Sequence, residues 1–224
     1  MRRLSQEDHD IVTAAVTAAE RGSDGEIVVI AAPRSDAYHD VGLHYAVLAM
    51  LMLPVLLGAL PQGLIDRGAS LFLGWNPEPT RDQSMLFLFV AMTIVFLLVR
   101  FALAYRPLRM ALTPGATKSR RVHRRAVEMF RTGCELKTRG RTGVLIYLSL
   151  LERRAEILAD RAIAEQVEPE VWGEAMAELI DAVKAGRPGE GLAKAVERVG
   201  AVLAPILPAK GDNPNELPDR LVEL

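Results

Sequence analysis

The 224 residues carry 27 Lys and Arg against 28 Asp and Glu, so the formal net charge of −1 gives no global field that would draw the chain to nucleic acid. Half of the residues are hydrophobic, yet only 5% are aromatic and 25% are charged, which separates a charged part from a very apolar one. The single cysteine, Cys134, excludes an intrachain disulfide framework, and four scattered histidines without CxxC or HExxH leave no zinc motif.

In chain order, MRRLSQEDHD has no apolar core behind its arginines and predicts no signal peptide. Ser5 with Asp8 three residues on predicts a capped helix whose apolar face holds Ile11, Val12, Ala15, Val16 and Ala19, ending near Gly22. Ile27 to Ala32 is a β-branched, apolar run that reads as a strand, closed by the turn residues PRSD. The chain then enters two apolar runs, Gly42 to Leu60 and Ser84 to Tyr105. Each is near the ~20 residues needed to cross a ~30 Å hydrocarbon core. Pro54 and Gly58 in the first are tolerated by membrane helices, and Arg100 in the second lies close enough to its end to snorkel.

The flanks give an orientation. The 61–83 connection reads as a short outer loop in which Arg67 and Arg81 are the only basic residues and Trp75 suits an interfacial anchor. After the second run come Arg106, Arg109, Lys118, Arg120, Arg121, Arg124 and Arg125, a basic set expected to lie against lipid headgroups. The positive-inside rule therefore predicts a two-pass protein of a bacterial inner membrane, with both termini cytoplasmic.

Beyond the basic set, Val122, Ala126, Met129, Phe130, Gly133 and Cys134 recur at helical spacing from about Lys118. TGVLIYLSL, Thr142 to Leu150, is the expected partner of the first strand, parallel to it and covered on both faces. Ala155 to Asp160 follows a short break and predicts a third strand in an antiparallel hairpin with the second. Two helices close the chain. One starts near Pro169 and carries Trp172, Met176, Leu179, Ile180 and Val183; the other runs from about Pro188 to Ala204 with Leu192, Val196, Val199 and Leu203. The expected fold is α/β, a small three-layer α/β/α sandwich with a short mixed sheet, interrupted by a two-helix transmembrane hairpin. The predicted parts are 1–41, the hairpin 42–105, and 106–224.

The segments EIVVIAAPRSDAY, RRAVEMFRTGCELKTRGRTGVLIYLSLLERRAEILADRAI, the Trp172 helix, GEGLAKAVERVGAVLAPILP and NELPD resemble the TPM domain family. More narrowly they resemble its bacterial membrane subclass, in which a transmembrane hairpin interrupts the domain. The resemblance implies the α/β/α sandwich, a phosphatase classification, calcium binding through loop acids in some members, and association with LemA-like membrane proteins. In the family an Asp or Asn usually precedes the strand matched by GVLIYLSL. Here Arg139, Arg141 and Thr142 occupy that place, Asp160 is the one acid left near the family position, and calcium needs six to eight oxygens, so calcium is the disfavoured alternative and no cofactor is expected.

Parallel pairing of the first two strands brings Glu26, Arg141, Thr142, Asp160 and Arg161 to one end of the sheet, a polar rim suited to an anion or a polar peptide group. Ser35 and Ser149 have no histidine partner legible in sequence, and no P-loop or dinucleotide fingerprint is present, so no catalytic residue is assigned. The expected function is a membrane-anchored binding or scaffold module on the cytoplasmic face. The alternative, from the resemblance alone, is a weak phosphate-ester hydrolase.

Overall fold

The computed structural model describes residues 4–73, 80–132, 142–209 and 219–224. The chain divides into two compact units, Met1–Asp36 together with Gly115–Leu224, and Ala37–Pro114.

The first unit is built around β1 (Glu26–Ala32) and β2 (Gly143–Ser149), which pair in parallel with Glu26 opposite Gly143 and Ala32 opposite Ser149. All seven residues of each strand are buried, as strands covered on both faces must be. β3 (Arg154–Ala159) returns antiparallel to β2 through a tight turn in which Arg153 takes a left-handed backbone, φ 49°. The sheet has a fourth member that the sequence reading lacked. β4 (Val222–Glu223) adds in parallel to the free side of β1, giving the order β3-β2-β1-β4.

Alternation across the sheet sorts the core into two layers. Ile27, Val29, Ala31, Val144, Ile146 and Leu148 face α1 (Gln6–Glu20), α8 (Pro169–Lys184) and α9 (Pro188–Ile206). Val28, Ile30, Ala32, Leu145 and Tyr147 face α6 (Gly115–Phe130), which contributes Val122 and Ala126. The three-layer α/β/α arrangement follows. α1 opens with the expected capping box, Ser5 and Asp8 each bonding the other's backbone N–H. Ile11, expected on its apolar face, is 36% exposed. α1 and α9 approach so closely that a Cβ on Gly200 would lie 2.6 Å from the Ala19 Cβ.

Among the described residues the regular elements of the second unit are helices: α2 (His39–Ala59), α3 (Gln62–Leu73), α4 (Arg81–Ala102) and α5 (Arg106–Leu112). α2 packs along α4. Its small core lies at one end, where Tyr38, Val41, Gly42, Ala46, Leu103, Arg109 and Thr113 are buried. Elsewhere the described apolar side chains of this unit are half-buried or exposed, and no residue of α4 is buried. Both α2 and α4 are long and apolar enough to cross a membrane. The 61–83 connection, expected as a loop, contains the three turns of α3. Trp75, Gly133 and Cys134 lie outside the described residues.

Candidate functional site

The sheet of the first unit has two polar ends. At the start of β1 and β2 the predicted rim is only partly assembled. Glu26 donates its backbone N–H to the Thr142 carbonyl at 3.1 Å, so these two residues do meet. Asp160 joins them, but as a structural group. It is 5% exposed, its Oδ2 accepts from the Gly143 N–H at 2.9 Å, and its own N–H donates to the Gly143 carbonyl at 3.0 Å. The carboxylate thus closes the β2–β3 ladder where backbone pairing runs out. Arg161 does not join the rim. Its exposed guanidinium pairs with Glu165 one turn along, because Asp160 starts the short helix α7 (Arg161–Ala164) and directs Arg161 outward. Arg141 lies outside the described residues.

Beside the rim sits a group that sequence reasoning missed. Glu20, at the end of α1, accepts from the Ile27 N–H at 2.9 Å, and Thr17 donates to Asp219 at 3.1 Å. Burial pushes the Glu20 carboxyl up to about 8; the Ile27 N–H pulls the other way, while Asp219 and Glu26 add to the rise. Glu20 is therefore protonated at neutral pH, which lets three acids share one corner. Among the described residues no group of three or more His, Cys, Asp or Glu is disposed to hold a metal ion. Asp219 also begins the segment that lays β4 on β1, with Leu221 buried and Glu223 accepting from the Leu4 N–H at 3.0 Å.

At the opposite end, where β1 and β2 finish, a chain of hydroxyls is buried on the α6 side. Ser35 Oγ donates to Ser149 Oγ at 2.9 Å, Ser149 Oγ donates to Glu152, and the Glu152 carboxylate also accepts from the Ser35 N–H at 3.1 Å. With the Ser35 proton directed at Ser149, the Tyr147 hydroxyl 3.0 Å away is the donor to Ser35. Burial raises the Tyr147 pKa above its ordinary value. Ser149 is fully buried, so its pairing with Glu152 fixes the turn and presents no nucleophile to solvent. Next to this chain Asp36 pairs with Arg121 at 2.9 Å and Arg124 at 3.5 Å.

The same end opens on the other face into a cleft of about 580 Å³. Pro33, Leu150 and Leu151 supply its floor from the strand ends, and Ile11, Val183 and Arg153 are among its walls. The α1 and α9 N-termini meet here, the Gly189 N–H donating to Asp8 Oδ1 at 3.1 Å. Crevices at the carboxyl ends of parallel strands are the usual ligand position in α/β sheets. Nothing in one sequence signals this cleft, because its walls come from four separated segments.

The basic residues expected at a lipid surface fall into different environments. Lys118 is half-buried and Arg120 exposed, Arg125 pairs with Glu128 at 2.8 Å, and Arg121 and Arg124 hold Asp36. Arg106 is exposed. Arg109 corrects the expectation: it is 4% exposed, donates to the Leu103 carbonyl at 3.2 Å, and has its Nη1 3.4 Å from His39 Nδ1. It caps the end of α4 and faces no solvent.

With this geometry in view, three comparisons bear on identity. Residues 109–202 match the model of the TPM domain. The fold is similar to the NMR structure of the BA42 protein from the psychrophilic bacterium Bizionia argentinensis. That likeness has a TM-score of 0.55 and 17% identity, covers 100% of this chain and 97% of that one, and is of fold. No curated protein matches the chain. The matched segment holds α6, β2, β3 and α8 of the observed sandwich, so this part of the chain is similar to the TPM domain.

Proposed function

We propose that this protein is a membrane-anchored TPM domain whose sheet unit binds or scaffolds a partner at the cytoplasmic face of a bacterial inner membrane. The observation that carries the reading is α4. Its 22 residues include no buried one, and Phe89, Leu98 and Phe101 are 64–72% exposed. Monomeric soluble proteins rarely leave contiguous apolar patches of more than a few hundred Å² open to water. A helix of 22 residues rises about 33 Å, enough for a ~30 Å hydrocarbon core. Anchoring gives these side chains an apolar solvent, and the arginine excess after Tyr105 sets both termini inside.

A binding role, and no catalytic one, is supported by how the polar groups are used. Asp160 is bonded to backbone, Ser149 is buried on Glu152, and Arg161 pairs with a neighbour. The cleft at the strand ends is the surface assigned to the partner, its volume within the range that engages ligands or short peptide segments. A second membrane protein, of the LemA-like kind the resemblance implies, is the partner class that this anchoring favours.

The test is site-specific photocrosslinking in intact cells with the full chain. A crosslinker at Ile11, in the cleft, should yield a discrete adduct, and one at Glu174 on the exposed face of α8 should not. Equal labelling at both positions would remove the cleft assignment. Phosphomonoesterase activity in the full chain that disappears in Asp160→Ala at unchanged thermal stability would replace binding by hydrolysis.

A further inference from the structure

The geometry points to α3 as an interfacial helix, lying along the outer face of the membrane with one side in the headgroup region. This rests on the anchoring reading and adds a lipid contact to a segment otherwise read as a plain connection. Twelve residues rise about 18 Å, too short to cross a bilayer. Yet α3 is ordered into three turns only two residues after α2 ends. Its residues 62–68 and 70 divide by register. At about 100° per residue, Gln62, Asp66, Ser70 and Arg67 share one arc, and Leu64 and Ile65 share the other with Gly68 between them.

The polar arc is internally bonded: Gln62 Nε2 donates to Asp66 Oδ1 at 3.4 Å and Ser70 Oγ to the Arg67 carbonyl at 2.9 Å. On the opposite arc Leu64 is 53% exposed, Ile65 is half-buried, and a Cβ on Gly68 would meet nothing within 4 Å. Two candidate spans flank the segment, so it is tethered at the membrane surface at both ends. A helix with this division and this tether lies flat, its apolar arc about 5–10 Å into the headgroup boundary. The occupant of the uncovered face is therefore lipid.

Single nitroxides at positions 62, 64, 65, 66 and 70, with one at Ile94 within α4, test this in the full chain carrying Cys134→Ser, reconstituted in phosphatidylglycerol–phosphatidylethanolamine vesicles. Collision with oxygen reports lipid, and collision with a water-soluble nickel chelate reports solvent. The oxygen-to-nickel ratio should be several-fold higher at 64 and 65 than at 62, 66 and 70, following the helical period. Ile94 should give the highest ratio of all. Uniformly aqueous ratios from 62 to 70 with Ile94 still in lipid would overturn the interfacial helix and leave the anchoring intact. An aqueous Ile94 would overturn both.

Discussion

Strand β2 and helix α4 are both almost wholly apolar, and they meet opposite fates. All seven residues of β2 are buried, between α6 on one face and α1, α8 and α9 on the other. None of the 22 residues of α4 is buried. Composition alone does not separate them; length and cover do. A strand of seven residues needs protein on two sides to satisfy its surface, and the sheet unit supplies that with helices whose own polar faces meet water. A helix satisfies its backbone internally, so it can leave its side chains to another solvent. On the anchoring proposed above, one chain solves the same burial problem twice, once with protein and once with hydrocarbon.

The largest expected effect breaks this comparison if it fails. Ile146→Asp places an unpaired carboxyl in the protein core and should abolish cooperative unfolding of the sheet unit, a loss of more than ~4 kcal/mol. The same change at Ile94 should leave the sheet unit's melting curve in detergent unaltered and reduce the membrane-inserted fraction, at about 2.5–3.5 kcal/mol for a mid-span acid. Equal damage to the sheet unit from both would mean that α4 belongs to a protein core.

Asp160→Ala removes the acceptor for the buried Gly143 N–H. The expected destabilisation is about 1–3 kcal/mol by denaturant titration, with Asp160→Asn closer to wild type because an amide oxygen remains. Unchanged stability in Asp160→Ala would return that carboxylate to the list of free functional groups.

Glu20 gives the pH dependence. Its carboxyl titrates near 4.5 in the unfolded chain and at about 8 in the folded one, so between those values the folded state holds the extra proton. Stability therefore falls as pH rises through that window. Discounted for the part of the group that faces solvent, the change is about 2 kcal/mol. Glu20→Gln should flatten the slope and raise stability at pH 9. A wild-type curve that climbs from pH 5 to 8 would contradict the assignment. The smallest effect is at the α1 cap, where Ser5→Ala should cost about 1 kcal/mol in the same titration.

Much of the frame was legible in the sequence. The parallel pairing of β1 with β2 followed from two runs that each lacked a polar face, although 110 residues separate Ala32 from Gly143. The antiparallel return of β3 followed from the short break at LERR. β4 was not legible, because two residues carry no alternation and their place is set by Asp219 and Leu221 docking beside α1. Arg109 misled for a physical reason: a basic residue after an apolar run reads as a surface charge, and only tertiary structure shows it turned back onto the Leu103 carbonyl. The candidate site was less legible still. Sequence placed Glu26, Thr142 and Asp160 at one end but could not show Asp160 bonded to Gly143. Ser35 and Ser149 lie 114 residues apart, so their hydroxyl chain exists only once β1 and β2 have paired.

Anchoring is the claim on which the rest depends, and alkaline carbonate extraction of membranes from cells expressing the full chain measures it most directly. With α2 and α4 in hydrocarbon, the protein should stay in the membrane pellet and be released only by detergent. Release into the aqueous supernatant as a monodisperse species would contradict it, and would mean that the exposed faces of α2 and α4 are covered by protein.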